Sequence, residues 1–240
     1  MPNSANEILE TLQSLANPEN VAGMARYGIN PQGTLGISIY TLRPMAKEIG
    51  QNHELALELW ESGVHEARLL AAFIDDPNQV TPDQMDRWAN DFDSWDVCDQ
   101  VCSSLFDQTA HAYPKAYEWS ADEREFVKRA GFVLMAALAV HDHSTSDEVL
   151  AAFFPVIVRE ADDERNFVKK AVNWALRNLG KRNLYLNALA VETAQQIALR
   201  GTRPARWIAA DALRELTAEK TLQRLHNSQI LHKTQKARKP

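Results

Sequence analysis

Phe126-Val127-Lys128-Arg129-Ala130 returns later in the chain as Phe167-Val168-Lys169-Lys170-Ala171, an offset of 41 residues. Further on, Ala175-Leu176-Arg177 returns as Ala212-Leu213-Arg214, an offset of 37. Both pairs lie in stretches whose apolar residues recur with the period of a helix. No alternating run bounded by hairpin turns occurs, so essentially no strand is expected and the fold class is all-α. Helical units repeating at about 40–47 residues are the period of HEAT and armadillo arrays. Such units bury their apolar faces on their neighbours and leave an extended concave surface. A non-repetitive bundle is the alternative, because only short cores match.

Helix signals run along the rest of the chain. Residues 4–17 read as an amphipathic helix with Ser4 as its cap, and Glu19 to Tyr27 as a second that stops at Gly28. Residues 28–37, rich in Gly, Pro and Asn, read as a loop. Helices follow over Leu42 to Gly50, His53 to Ser62 and His65 to Ile74, the last closed by Asp75-Asp76-Pro77. Capping boxes are expected at Thr81-Pro82-Asp83-Gln84, Ser120-Ala121-Asp122-Glu123 and Thr145-Ser146-Asp147-Glu148. Residues 1–223 are expected to form one repeat domain.

The net charge of −6 is unevenly spread. Residues 224–240 hold Arg224, Lys233, Lys236, Arg238 and Lys239 and no acid, which leaves −11 on residues 1–223. That segment reads as a basic, disordered tail. The body is not coated with basic residues for nucleic acid, although a local basic groove remains open, since binding depends on where charges face. No apolar run reaches the roughly 18 residues of a membrane span, and the first residues lack a signal peptide's pattern. A cytoplasmic, monomeric protein with no membrane partner is expected.

One stretch concentrates the chemistry: Asp93-Ser94-Trp95-Asp96-Val97-Cys98-Asp99-Gln100-Val101-Cys102. Ser94 is a suitable N-cap for a helix on which Trp95 and Asp99, four apart, share a face. An aromatic plate beside a carboxylate suits a guest that carries or develops positive charge. A core Trp beside a solvated Asp is the bland alternative. Cys98 and Cys102, the chain's two cysteines, read as reduced thiols, since no further metal ligand lies near in sequence. Arg129 heads an apolar run, 130–138, that must be buried almost all round. Trp174 is flanked by Lys170 and Arg177 on one helical face, or is a core Trp with surface cations. His65-Glu66 is not the start of a zinc-protease H-E-x-x-H, because residue 69 is Leu. Glu66 and Arg68 fit an ion pair between repeats, and His141-Asp142-His143 fits a metal site or, more simply, a solvated helix end. No phosphate loop or nucleophile elbow is present.

In order and spacing, several segments resemble the DNA alkylation repair glycosylases of HEAT-like repeats, the AlkD type. They are Met24-Ala25-Arg26-Tyr27, Leu35-Gly36-Ile37 with Arg43, Ser94-Trp95-Asp96-x-x-Asp99, Lys128-Arg129-Ala130 and Phe167-x-x-Lys170-Ala171-x-x-Trp174-x-Leu176-Arg177. The resemblance spans about residues 20–215. It implies a right-handed superhelix whose concave face holds duplex DNA, and hence a nucleoid-associated protein when bound. It also implies excision of cationic N3- and N7-alkylated purines, 3-methyladenine and 7-methylguanine among them, without flipping the base and without a cofactor. By the same resemblance Trp95, Asp99 and Trp174 form the catalytic cleft and Arg129 holds a phosphate. Tyr27, Arg43, Lys170 and Arg177 contact the DNA. The chain departs from relatives at Ser38-Ile39-Tyr40, often Thr-Pro or Val-Pro, and at Ser94, where some carry a second aromatic.

The chemistry suits these residue types. An N3- or N7-alkylated purine is already cationic and leaves without protonation, so the paired acids of a glycosidase are not needed. What remains is to stabilise the positive charge growing on the deoxyribose and to position water, both within the capacity of one carboxylate. Two other readings belong to different classes: a DNA-structure binder without catalysis, and a protein-interaction scaffold built on helical repeats.

Overall fold

The computed structural model describes residues 4–237, and side chains as far as residue 230. Among the described residues there are fifteen α-helices, one 3-10 turn and no strand. The chain divides into two compact units, residues 1–112 and 113–240, where a single repeat domain is expected.

The first unit runs through α1 (Ala5–Ser14), α2 (Pro18–Arg26), α3 (Ile39–Ile49), α4 (His53–Glu61), α5 (His65–Ile74), α6 (Pro82–Asn90) and α7 (Trp95–Ser104). A 3-10 turn, Phe106–Gln108, follows. Side-chain caps set many of the starts. Ser4, Asn17, Asn52 and Thr81 accept the N–H of Glu7, Asn20, Leu55 and Gln84, donors that would otherwise lack a partner in the first turn. α3 begins three residues before Leu42, because the Ser38 hydroxyl accepts the Tyr40 N–H and starts the helix there. In the core Trp60 stacks on Trp88, ring centroids 3.9 Å apart and planes 2° from parallel, with Phe92 and Phe106 beside them. The Trp60 indole N–H, which must find a partner when buried, donates to Asp91 at 2.8 Å.

The second unit comprises α8 (Ala112–Ser120), which starts at the boundary, then α9 (Glu125–His141), α10 (Asp147–Ala151), α11 (Phe154–Arg159), α12 (Asn166–Gly180), α13 (Leu184–Ala198), α14 (Arg203–Leu216) and α15 (Glu219–Ala237). α9 and α12 lie side by side and parallel. The Phe126 and Phe167 rings are 5.5 Å apart near one end, while Asn178 donates to the Ala136 carbonyl and Arg182 to that of Ala139 near the other. α12 and α14 are parallel too, with Asn173 donating to Asp211 at 2.6 Å and Lys181 paired with Glu215 at 3.0 Å. Residues related by the sequence offsets thus sit beside one another. α9 is buried almost all round, as its apolar run requires. Gly131 permits α8 to come close, since a Cβ there would lie 2.5 Å from the Ser120 nitrogen.

That close approach explains one departure from the expected caps. Ser120 is the last residue of α8, its hydroxyl turned back onto the Tyr117 carbonyl, and α9 starts only at Glu125, after Asp122 has accepted the Arg124 N–H. At the other box α10 begins at Asp147, and Ser146 makes no side-chain cap bond. Asp142 closes α9 as a turn residue, accepting from Tyr113, Ser144 and Thr145. The segment expected as a disordered tail lies within α15 as far as Ala237; residues 238–240 and the Lys233 and Lys236 side chains lie outside what is described. No helix among the described residues is long and apolar enough to cross a membrane.

Candidate functional site

α7 carries the stretch singled out in the sequence. Ser94 is its N-cap, but the hydroxyl donates to Asp96 at 2.9 Å instead of accepting a helix N–H. Trp95 is half-buried, and its indole N–H donates to the Tyr27 carbonyl at 3.0 Å. That bond ties the start of α7 to the end of α2 and leaves Tyr27 itself 77% exposed. Asp99 stands one turn beyond Trp95, only 8% exposed. Beside it the Cys102 thiol is pushed well above its ordinary pKa by burial first, then by Cys98 and the charge of Asp99. Both cysteines are buried and unbridged, consistent with reduced thiols.

Trp95 and Asp96 form part of the wall of a hollow of about 650 Å³ within the first unit, completed by α2, the loop before α3, and α5. Its shape depends on Glu66, which is fully buried. The Glu66 carboxylate accepts the N–H groups of Leu35, Gly36 and Ile37 at 2.8, 2.7 and 3.1 Å, so the loop is clamped to α5. Gly36 has φ +80°, and a Cβ there would strike the Asn17 carbonyl, so only glycine fits this turn. The expected Glu66–Arg68 pair is not formed. Arg68 instead donates to the Asp91 carbonyl and lies over the Trp60 ring, because Glu66 faces the loop.

His65, beside Glu66, is buried, and its Nε2 meets Asp96 at 2.9 Å. Burial alone would lower the His65 pKa, but the hydrogen bond and charge of Asp96, with Glu66 and Asp93 nearby, outweigh it and raise it. For Asp96 burial pushes upward, yet His65, Ser94 and the Val97 N–H together hold it below its ordinary value. Arg43 is exposed on α3, donates to Gln100 at 3.1 Å and lies 4.7 Å from the Phe73 ring centroid.

The second unit holds the other residues expected at the site. Arg129 is 5% exposed and donates to the Phe167 carbonyl at 2.6 Å, so it joins α9 to α12 whatever else it contacts. On α12 Lys170 is exposed and Trp174 half-buried. Arg177 pairs with Asp211 at 3.0 Å and with Glu215 at 3.2 Å. Lys169 packs over Trp207, 4.9 Å from the ring centroid. Among the described residues no cluster of three or more His, Cys, Asp or Glu could hold a metal ion.

The structure therefore ties Trp95 to Tyr27 in the first unit, with Asp99 one turn further along α7 and Arg43 reaching that helix through Gln100. In the second unit it sets Lys170, Trp174 and Arg177 along one helix, with Arg129 on its neighbour. Sequence reasoning missed the His65–Asp96 pair and the Glu66 clamp. The signal available was a pair of ionisable residues opening a helix that is apolar apart from Arg68, where a buried charge must find partners.

A family profile described as DNA alkylation repair enzyme matches residues 8–216. An uncharacterised protein of Listeria innocua is 24% identical over 190 residues, 78% of this chain and 83% of the relative. An uncharacterised protein of Listeria monocytogenes is 26% identical over 125 residues, 50% of this chain and 56% of that one. Among solved structures, one described as representing a new family related to the HEAT-like repeat DNA glycosylases, with affinity for branched DNA structures, aligns with a TM-score of 0.71. It is 22% identical and covers 80% of this chain and 82% of its own. The fold is accordingly of the HEAT-like repeat type, and with the profile spanning most of its length, the chain belongs to the DNA alkylation repair enzyme family.

Proposed function

We propose that this chain is a DNA glycosylase that releases cationic N3- or N7-alkylated purines from duplex DNA. The observation that carries the reading is α7, where a half-buried indole fixed by its N–H to Tyr27 stands one turn from the Asp99 carboxylate, in a member of a DNA alkylation repair family. In the proposed step the bond from C1′ to the purine nitrogen breaks and its electron pair neutralises the purinium. Water then adds to C1′ and gives up its proton to the surrounding solvent. Asp99 stabilises the positive charge on the sugar and orients the water, and Trp95 offers a ring face to the same charge. Exposed Arg43 and Lys170 are proposed phosphate contacts, which set register without reading sequence. Arg177 can share a phosphate with its acidic partners, since a guanidinium has five N–H donors. Trp174 and Arg129 are proposed as further DNA contacts of the second unit.

The test is release of 7-methylguanine from a duplex carrying one such base, scored as abasic sites after alkaline cleavage. Wild type should exceed spontaneous release, and Asp99→Asn should lose on the order of 10²-fold or more while retaining duplex affinity. Undiminished release by that variant would remove Asp99 from the mechanism. A second reading, a binder of DNA structures without catalysis, is favoured by the affinity for branched DNA described for the structural relative. It is the outcome if wild type binds DNA but releases no base.

A further inference from the structure

We propose that the exposed face of α14 is a second seat for the sugar-phosphate backbone of bound DNA, one repeat beyond the residues on α12. The proposal rests on the DNA-binding part of the reading above and extends the surface that takes hold of the duplex. Arg203, Trp207, Ala210 and Arg214 are spaced to share one face of the helix, and all four are exposed. Among the described residues Trp207 is the only exposed tryptophan, at 39%. Trp60, Trp88 and Trp119 are buried, and Trp95 and Trp174 half-buried. Within a fold Trp is mostly covered, whereas Trp and Arg together carry much of the energy at interfaces.

The neighbouring helix carries the same pattern. On α12 a cation stands four residues before the indole and another follows it, Lys170, Trp174 and Arg177; on α14 these are Arg203, Trp207 and Arg214. By the 37-residue offset, Trp207 takes the place on α14 that Lys170 holds on α12. The two faces adjoin, since Lys169 lies over the Trp207 ring and Asp211 pairs with both Arg177 and Arg214. The acids of α14, Asp211 and Glu215, turn toward α12, where Arg177 and Lys181 meet them. That leaves the exposed stripe with cations and an indole and no acid. Such a strip suits a polyanion whose sugars present apolar faces. Arg203 and Arg214 hold phosphates, and the Trp207 ring packs on a deoxyribose. The bases stay paired, so the contact agrees with excision that flips no base.

The test is the affinity of the full chain for a labelled, fully paired duplex, read by anisotropy over a range of salt concentrations. Trp207→Ala should bind about tenfold more weakly at every salt concentration, with the salt slope unchanged, because an apolar contact releases no counterion. Trp207→Phe keeps a flat apolar face and should recover most of the affinity. Arg203→Ala should weaken binding and lower the slope by about one, as expected for one phosphate contact. Melting temperatures without DNA accompany each variant, and where Trp207→Ala is destabilised the exposed Arg203 decides. Wild-type affinity and slope in Trp207→Ala and Arg203→Ala overturn the proposal. So does a loss in Trp207→Phe as large as that in Trp207→Ala. Failure of wild type to bind the duplex at any salt concentration overturns the DNA-binding reading as well, which separates the two failures.

Discussion

The two units solve the same packing problem by different means. In the second, α9, α12 and α14 start at residues 125, 166 and 203 and run parallel, joined by side chains that reach the same relative place on the next helix. In the first, α3, α5 and α7 start closer together, at 39, 65 and 95, and what joins them is a clamped loop and a buried His–Asp pair. Repeating side chains at helix–helix contacts produces a repeating sequence. A carboxylate that satisfies three backbone N–H groups is used once, and it leaves no echo.

The largest test of this contrast is Glu66→Ala. It removes the acceptor of three loop N–H groups that the fold keeps from water, and about 3–5 kcal/mol of stability should be lost in urea unfolding. A loss below about 1 kcal/mol would mean the loop is held by its other bonds. In the second unit the corresponding weak point is steric. Gly131→Ala sets a methyl against the α8 backbone at Ser120, and the overpacking should cost about 1–3 kcal/mol by the same measurement. A neutral result would show that α8 can retreat from α9.

The smallest effect is pH-dependent and belongs to the first unit alone. His65 has a raised pKa in the fold, so its contribution is complete below the ordinary imidazole value and is lost as pH rises through the raised one. Asp96, with a depressed pKa, keeps its contribution above the ordinary carboxylate value and loses it as pH falls through the lowered one. The melting temperature of wild type should therefore decline as pH is raised past about 6.5, and more steeply than that of Asp96→Asn. Parallel profiles for the two proteins would show that the pair contributes nothing in this window.

This contrast also explains what was legible in the sequence. The Phe-Val-Lys-x-Ala core could be read because its two copies face each other, with Phe126 against Phe167. The Trp95–Asp99 spacing could be read because a helix fixes which residues share a face. Glu66 could not, because its partners lie 29–31 residues away in a loop and are backbone groups, which any residue carries. The box at Ser120 misled because the same letters end one helix where they would serve to begin another. Arg177 could be placed beside Trp174 but not assigned to Asp211 and Glu215, since partner choice followed the packing of α14.

The parallel register of α9, α12 and α14 bears on how the second unit folds. Its links between successive repeats, Ala136 to Asn178 and Asn173 to Asp211, span about forty residues each, and chain closure over such a distance carries a modest entropic cost. A repeat already formed offers the next a ready surface, so order can spread from neighbour to neighbour. During synthesis, the α9–α12 pair can be complete before α14 has left the ribosome.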